Sequence, residues 1–389
     1  MAYISSNANR FYVAAEQSYG AVPAITHASR FSAVQLSAKQ QMETALRKDK
    51  TGSRTYAGLP TGGRRKTDFQ LKTYLSSWEP GNLVPGQGPL FQSALGADPL
   101  VHPGGTAGTS PNASQITFSG PHGLVANQAM SFAGEIRFVS TLIDANTVVL
   151  NAPFTATPAA GANLSPTVTY FLTNELPSVS LFDYWSPSAA VQRILCGSVV
   201  DQLSVSVNGD FHEFTFKGTA RDILDSVSFN TGDGELVTFP TEPALTTFQQ
   251  AAVPGNLGQA WIGTTATKFL TLTEAALSLD NSLDSTVREF GTNLPTSVSP
   301  GQRSVKLDFT IYEQTDSATT ELYQAARQQS PIEVMLQLGM SQKQLFGVYL
   351  KSVTPALPAF QDSHRRLQWQ FRESRAQGSV DDEMVVAFA

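Results

Sequence analysis

The 389-residue chain contains a single cysteine, Cys196, and this scarcity excludes several classes of structure. One thiol cannot form an intrachain disulfide or a thiolate metal cluster, and its apolar flanks predict a buried small hydrophobe. Long apolar runs are also missing, since no stretch approaches the ~18 consecutive apolar residues that a membrane-spanning helix requires. The start of the chain lacks a basic segment followed by an apolar run, so no secretory signal is expected. We therefore expect a protein made in a cytoplasm, with no membrane insertion by this chain.

Charge is sparse as well. Charged residues make up 15% of the chain and hydrophobic residues 41%, with a formal net charge of -6. This balance predicts well-packed domains and argues against a surface that grips nucleic acid over its whole extent. The length is sufficient for two or three domains, each with its own core.

Residues at the spacing of a catalytic or metal site are missing too. The five histidines have no partner four residues away on a helix and no set of Cys or carboxylate residues at metal spacing. The stretch 280–285, DNSLDS, begins like a calcium loop but lacks the glycine and glutamate that such a loop needs. No phosphate-binding GxxxxGK[ST] loop occurs. We expect no enzyme activity, no metal and no cofactor.

What the chain does contain is a series of alternating strands whose order occurs twice. A short strand, a long polar segment, a second strand, a short helix and a strand pair follow one another in both halves, with the period of two typical of half-buried strands. This order predicts an ancient tandem duplication, and two unrelated β domains are the alternative. The first series is 33–37, 67–75, 89–95, 199–207 and 211–221, and the second is 276–280, 304–312, 321–327, 346–354 and 366–375.

The predicted fold is mainly β. It consists of two tandem β domains, each with a short helix, and a small inserted β domain introduced by a flexible Gly/Ser/Thr-rich lead-in. Insertions of this kind cost little stability in a surface loop. The predicted boundaries are 1–103 with 174–221 for the first domain, 104–173 for the insert, 222–268 for a linker and 269–389 for the second domain.

The long polar segments, or arms, differ in charge between the two halves. The first arm, 38–66, contains eight cations and two carboxylates, Glu43 and Asp49, and has a net charge of +6. The rest of the chain therefore carries -12. The second arm, 280–304, has a net charge of -1. Either the first arm is a solvated loop, as most charge runs are, or it docks onto an acidic surface of a partner. Nucleic-acid binding is less favoured, because Tyr56 is the only aromatic residue between Ala38 and Lys66. The eight cations are Lys39, Arg47, Lys48, Lys50, Arg54, Arg64, Arg65 and Lys66; the charged residues of the second arm are Asp280, Asp284, Arg288, Glu289 and Arg303.

Several stretches resemble the tail tube proteins of long-tailed, siphovirus-like bacteriophages. They are RFYVAAEQSYGAVPA (10–24), GRRKTDFQLKTYL (63–75) leading into LFQSALG (90–96), and GSVVDQLSVSV (197–207) followed by FTFKGTARD (214–222). The resemblance covers most of the chain apart from the insert and the linker.

This resemblance implies a structural virion protein whose two tandem tube domains are β-sandwiches or barrels, each with a flanking short helix. Their sheets would join around a ring, and the rings would stack into the hollow tail tube. A long arm between two strands would reach the neighbouring ring. The implied partners are the protein itself, a tape measure protein inside the tube, and terminator and distal tail proteins at its ends, while genomic DNA passes without specific binding. Most family members contain one tube domain and form six-membered rings, so two domains per chain predict a trimeric ring with pseudo-sixfold symmetry. The lumen is expected to repel phosphate, with its lining drawn from the acidic remainder of the chain.

An adhesive or carbohydrate-binding β protein, with the insert as its binding module, is the alternative. The four tryptophans, Trp78, Trp185, Trp261 and Trp369, all lie outside the insert, which counts against a sugar-stacking platform there. For the insert itself, stiffening, weak adhesion and a tolerated decoration remain open.

Overall fold

The computed structural model describes residues 3–43, 48–54, 58, 63–79, 81–244, 248, 250–263, 267–285, 289–362 and 365–389. These residues form 25 strands and two α-helices, which confirms the mainly-β prediction. Neither α-helix in this part of the chain is long and apolar enough to cross a membrane.

The elements of the first 225 residues are as follows. They are β1 (Asn9–Ala15), β2 (Arg30–Phe31), β3 (Gln35–Met42), β4 (Arg65–Tyr74), α1 (Gly88–Leu95), β5 (Leu100–His102), β6 (Gly105–Thr106), β7 (Gln115–Thr117), β8 (Ala129–Phe132), β9 (Glu135–Leu142), β10 (Thr147–Leu150), β11 (Asn163–Leu164), β12 (Thr167–Tyr170), β13 (Val179–Trp185), β14 (Arg193–Val207), β15 (Glu213–Ala220) and β16 (Asp222–Asp225).

The remaining strands and the second helix lie between residues 258 and 388. They are β17 (Gly258–Gly263), β18 (Thr267–Phe269), β19 (Leu272–Asp280), β20 (Ser304–Tyr312), α2 (Ser317–Gln328), β21 (Ile332–Leu338), β22 (Phe346–Thr354), β23 (Ala359–Gln361), β24 (Gln368–Ala376) and β25 (Val385–Phe388). Single 3-10 turns occur at Ser6–Ala8, His27–Ser29 and Asp233–Glu235.

The same antiparallel pairing scheme occurs twice along the chain. In the first repeat, β1 pairs with β2 and β13, β14 with β13, β15 and β16, and β4 with β3 and β15. In the second repeat, β17 pairs with β18 and β21, β22 with β21, β24 and β25, and β20 with β19 and β24. The registers also match, because Tyr74 lies opposite Glu213 as Tyr312 lies opposite Gln368.

Eight strands from both repeats form one continuous sheet, which we call the front sheet. Its order is β3-β4-β15-β14-β19-β20-β24-β23, and β14 joins the first repeat to β19 of the second. Alternate side chains of each strand are buried on one face, as in Phe69 and Leu71 of β4, while the other face is polar. Phe91 of α1 packs edge-on against Phe214 and Phe216, with ring centroids 5.3 and 5.2 Å apart.

A capping residue defines one end of each helix, the N-terminus of α2 and the C-terminus of α1. Asp316 caps α2 by accepting a hydrogen bond from the Thr319 N–H at 2.7 Å. Helix α1 ends at Gly96, whose φ of 105° favours glycine and whose Cβ, if present, would lie 2.2 Å from Thr173 Oγ1. These ends fix both helices against the apolar face of the front sheet.

Behind the helices lie two further sheets. The first back sheet is β2-β1-β13-β14-β16, and the second back sheet is β18-β17-β21-β22-β25-β12-β5. Strand β14 belongs to both the front and the first back sheet, and it turns between them at Gly197, where φ is 60° and a Cβ would lie 2.6 Å from the Arg221 Cβ. Residues between the sheets form the main core.

The outer faces of the two back sheets are covered differently. The insert folds as the sheet β7-β10-β9-β8 with its own core, and it packs Ile136 and Phe138 against the second back sheet. The first back sheet is covered by Leu236 and Phe239 from the segment between the repeats. Glu242 holds this segment in place through hydrogen bonds from Arg10 and from the Tyr12 hydroxyl at 2.9 Å.

Strands within the predicted linker and insert pair with strands of the two repeats. The segment 222–268, interpreted from sequence as a loose link, contributes β16 to the first back sheet and β17 and β18 to the second. The segment 104–173 contains β12, which pairs with β25. Sequence reasoning missed these strands because they are only three to six residues long, too short for a clear alternation.

Candidate assembly interface

The front sheet begins at β3, an edge strand that pairs only with β4 among the described strands. The Glu43 N–H donates to the Arg64 carbonyl oxygen at 2.7 Å. In an antiparallel pair this alternates along the strand, so the backbone N–H and C=O groups of the odd-numbered residues of β3 point toward β4. The backbone groups of Leu36, Ala38 and Gln40 therefore point to the open edge. The strand is largely exposed.

The opposite end of the front sheet is β23, which pairs only with β24 within the described part of the chain. The Glu313 N–H donates to the Leu367 carbonyl oxygen at 3.0 Å. The backbone groups of the odd-numbered residues of β24 therefore form hydrogen bonds with β20, and those of the even-numbered residues with β23. This alternation directs the backbone of Phe360 to the open edge. The Phe360 ring contacts Trp369, with centroids 5.5 Å apart, yet 56% of the residue is exposed.

A junction between the two repeats already joins the corresponding edges inside one chain. Six residue pairs connect β14 to β19, with Val205 opposite Leu277, and both side chains are buried. The Asn281 N–H extends this ladder by donating to the Asp201 carbonyl at 2.8 Å. In the repeated pairing scheme β19 corresponds to β3, and β14 corresponds to the edge formed by the end of β22 and β23.

The register of this internal junction can be transferred to the open edges. Phe360 lies opposite Trp369 as Val205 lies opposite Phe214, and Ala38 lies opposite Phe69 as Leu277 lies opposite Leu307. A second copy that repeats the junction therefore places Phe360 opposite Ala38 and Gln361 opposite Ser37. Both edges also carry exposed apolar side chains, namely Val34 and Met42 on one and Leu357 and Phe360 on the other.

The cations predicted for the first arm lie in two places. Lys39, Arg65 and Lys66 belong to β3 and β4, where Arg65 pairs with Asp222 at 3.3 Å and Lys66 with Asp68 at 3.4 Å. Arg64 immediately precedes β4. Lys48, Lys50 and Arg54 are exposed in the connection between the strands, and Arg47 lies outside the described residues.

The second arm folds back onto its own chain. Asp280 accepts a hydrogen bond from Gln202 at 3.0 Å, Asp284 bridges to the Ser299 backbone, and Glu289 accepts from Thr296. Arg303 pairs with Asp381 at 2.9 Å and with Glu383 at 3.6 Å, while Arg288 lies outside the described residues. The Asn293 carbonyl of this arm accepts the Arg65 N–H at 2.8 Å, so the second arm reaches the base of the first.

The insert is attached to the second repeat through a buried arginine. The Arg137 guanidinium donates to the side-chain oxygens of Gln337 and Gln259, both at 2.9 Å, and lies 3.3 Å from Glu135. Its side chain is fully buried over the Trp261 ring. Burial lowers the pKa of Arg137 to about 10, although the Glu135 charge opposes this shift, and the group remains a cation at neutral pH.

Burial also shifts the pKa of other ionisable groups among the described residues. Burial raises the pKa of the Cys196 thiol to about 12, and burial together with Glu242 raises the pKa of Tyr12 to about 12. Burial alone would raise the pKa of Glu242, but the hydrogen bonds from Arg10 and Tyr12 hold it below its usual value. No group of three or more His, Cys, Asp or Glu residues in the described ranges is arranged to hold a metal ion.

Two buried histidines predict an acid-sensitive fold. His102 and His212 are 5% and 1% exposed, each has a ring Nε2 within hydrogen-bond distance of a carbonyl, and burial lowers the pKa of both. Because the unfolded chain then binds these protons more readily, stability is complete above about pH 6.5 and falls as the pH drops toward the folded pKa values. Urea unfolding should give a smaller free energy of unfolding at pH 5 than at pH 8, by at most ~1.4 kcal/mol per pH unit for each histidine.

The control for this pH dependence is His27, which is exposed. The variant His27→Gln should keep the full slope between pH 8 and 5, whereas the double variant His102→Gln/His212→Gln should flatten it. A slope that is unchanged in the double variant would assign the acid sensitivity to other groups.

No protein-family model matches the chain, and a comparison with curated proteins found no match. The inference of function therefore rests on the geometry of the sheet edges and on the sequence resemblance described above.

Sequence reasoning found part of one edge and missed the other. The strand predicted at 33–37 overlaps β3. Phe360 lies in a three-residue strand preceded by Pro355 and Pro358, which suggested no strand at all. The signal that was available is the match of "HEFTF" (212–216) with "LQWQF" (367–371), because the strand opposite each of them must then also correspond. The pairing of β14 with β19 leaves no trace in hydrophobic periodicity.

Proposed function

We propose that this chain is a structural virion protein that assembles into stacked rings and forms the hollow tail tube of a long-tailed bacteriophage. The observation that carries the proposal is the front sheet, in which two repeats already pair edge to edge while the equivalent edges at both ends stay open. An exposed edge strand is a template for pairing with another chain. Here the matching edge would come from a second copy, because the internal junction joins β14 to β19, the strands that correspond to the two edges left without a partner among the described residues.

The proposed ring contains three chains. Each chain supplies two repeats and eight front-sheet strands, so three chains give six pseudo-equivalent positions and 24 strands. The helices and back sheets lie on one side of the front sheet, and a closed ring must place this bulkier layer outside, where the circumference is larger. The polar face then lines the lumen. Barrels of 16–18 strands already enclose an aqueous channel, so a 24-stranded wall leaves a wider one.

The first arm is proposed to contact the next ring. Lys48, Lys50 and Arg54 are exposed, and the rest of the chain carries the compensating acidic excess. Ordering an exposed segment costs ~1–2 kcal/mol per residue, which contact with an acidic surface of the next ring would have to offset. Tape measure, terminator and distal tail proteins remain the expected further partners, and the tail of the virion the expected location.

A disulfide across the proposed junction tests ring closure. The double variant Ser37→Cys/Gln361→Cys places one thiol on each open edge, directly opposite in the transferred register and within disulfide reach. Under mild oxidation it should form covalent rings of three chains, each of 41.8 kDa. The matched control Ala38→Cys/Gln361→Cys shifts the register by one residue, which directs the two thiols to opposite faces, and should not cross-link.

Mass measurement and negative-stain microscopy give the outcome. Covalent rings of six chains would overturn the trimer, and equal cross-linking in both variants would overturn the register. The triple variant Lys48→Gln/Lys50→Gln/Arg54→Gln, introduced into the cross-linking pair, should retain rings and prevent their stacking. If these rings stack normally, the arm does not act through its charge.

The fold gives little support to the alternative of an adhesive or carbohydrate-binding protein. The insert uses its buried face to cover the second back sheet, and the large apolar residues exposed on its described surface are the aliphatic Val125, Leu142 and Ile143. An aromatic platform for sugar stacking would require exposed rings.

A further inference from the structure

The polar face of the front sheet carries equal numbers of both charges. The registers and the burial alternation place seven cations and seven carboxylates of the strands on it among the described residues, a net of 0. Asp201 is included because this bulge residue of β14 lines a surface pocket together with Lys39, Lys66 and Lys217. Because the whole chain has a formal net charge of -6, the residues outside this face carry all of that charge. The cations are Lys39, Lys66, Lys72, Lys217, Lys306, Arg372 and Arg375, and the carboxylates are Asp68, Asp201, Glu213, Glu274, Asp280, Asp308 and Glu373.

Much of this charge is paired across neighbouring strands. Lys72 lies 2.9 Å from Glu213, and Arg372 lies 3.0 Å from Glu274 and 3.9 Å from Asp308. Exposed pairs of this kind contribute little to stability, with a typical value of ~0–1 kcal/mol. Their main consequence is therefore local neutralisation of the surface.

The centre of the face is occupied by hydroxyl groups. Thr215, Ser204 and Ser278 lie opposite one another on β15, β14 and β19. Gln70 and Gln202 flank Lys217 in the adjacent row, so uncharged polar groups separate the charges. The sequence-based expectation of an acidic lining differs from this arrangement, because the acidic excess lies on other surfaces.

We propose that the carboxylates of the polar face cancel its cations, so that a nucleic acid moving along this face is neither held nor repelled. The inference rests on the proposed function for its biological setting, since it takes the polar face as the wall of the lumen. Binding of a polyanion grows with the number of phosphates that cations can neutralise. Paired cations are not available for that exchange, and the wall stays non-adhesive without becoming strongly negative.

The test removes the carboxylates while keeping net charge matched. The face variant Glu213→Gln/Glu274→Gln/Asp280→Asn converts the net charge of the face from 0 to +3. The control variant Glu175→Gln/Glu235→Gln/Glu321→Gln makes the same change in total charge at exposed positions away from the face. Both variants keep the first arm, so any binding by the arm is common to both. Unfolding by urea should show that both remain folded.

Binding of a fluorescent DNA duplex to the full-length chains gives the readout. The face variant should bind at least about tenfold more tightly than both the control variant and the wild type at 50 mM salt. The slope of log affinity against log salt should be steeper by up to ~2.7, at ~0.9 for each additional phosphate that the protein neutralises. Equal affinities of the face and control variants, or a wild type that binds as tightly as the face variant, would overturn the inference.

Assembled tubes separate this inference from the proposed function. Tubes of the face variant should retain labelled DNA on sedimentation, whereas wild-type and control tubes should release it. If no rings or tubes form from any of the chains, the proposed function fails, and the comparison on free chains still decides whether the carboxylates keep this face non-adhesive.

Discussion

The variant Ala38→Pro is expected to abolish ring assembly and leave the chain folded. The backbone of Ala38 points to the open edge of β3, so proline removes an N–H that the neighbouring chain would use and no hydrogen bond to β4 is lost. Proline is tolerated on edge strands for this reason and blocks further pairing. Size-exclusion chromatography with mass determination should find monomers where the wild type forms rings.

The matched control is Ala38→Gly, which removes the methyl group and keeps the N–H. It should assemble as the wild type does, with at most a modest loss of stability for a glycine in a strand. Far-UV circular dichroism should confirm that both variants are folded. Rings formed by Ala38→Pro at wild-type yield would show that β3 is not part of the ring contact, and the proposed closure would have to be abandoned.

The variant Arg137→Ala is expected to lower the free energy of unfolding by ~3–5 kcal/mol, the usual cost of removing one partner from a buried charge network. It removes the guanidinium hydrogen bonds to the side-chain oxygens of Gln337 and Gln259 and leaves the Glu135 carboxylate without its cation. The Gln337 oxygen keeps the hydrogen bond from the Ile136 N–H. It also opens a cavity beside Trp261. Urea unfolding monitored by tryptophan fluorescence measures the change.

Two further variants locate the effect. Arg137→Lys should recover only part of the loss, because a single ammonium group cannot reproduce the forked contacts to both glutamines. Thr141→Ala, on the exposed end of the same strand, should change the free energy of unfolding by less than ~0.5 kcal/mol. A cost below ~1 kcal/mol for Arg137→Ala would mean that the insert is loosely attached.

Strands and helices with one buried face and one solvent-exposed face could be predicted from the sequence. The period-two pattern of 304–312 coincides with β20, and the helical patches 89–95 and 321–327 lie within α1 and α2. In these segments the local pattern and the tertiary environment agree. The repeated order of elements could be seen for the same reason.

The period-two alternation does not identify strands that are buried on both faces. It also does not show which strands pair when they lie far apart in the chain. In β9 the residues from Glu135 to Val139 are all buried, because the insert uses both faces of this strand. Alternation therefore could not reveal that the insert covers the second back sheet. Edge pairing and the ion pair of Arg65 with Asp222 depend on residues far along the chain, which local composition does not encode.

The unequal covering of the two back sheets has a consequence for imaging. In a ring of three chains, the insert would project from every second of six positions, and the segment containing Leu236 and Phe239 would occupy the others. Averaging a reconstruction around a sixfold axis would then smear the insert into half-strength density at every position. Threefold averaging would restore it as three separate ribs along the outside of the cylinder.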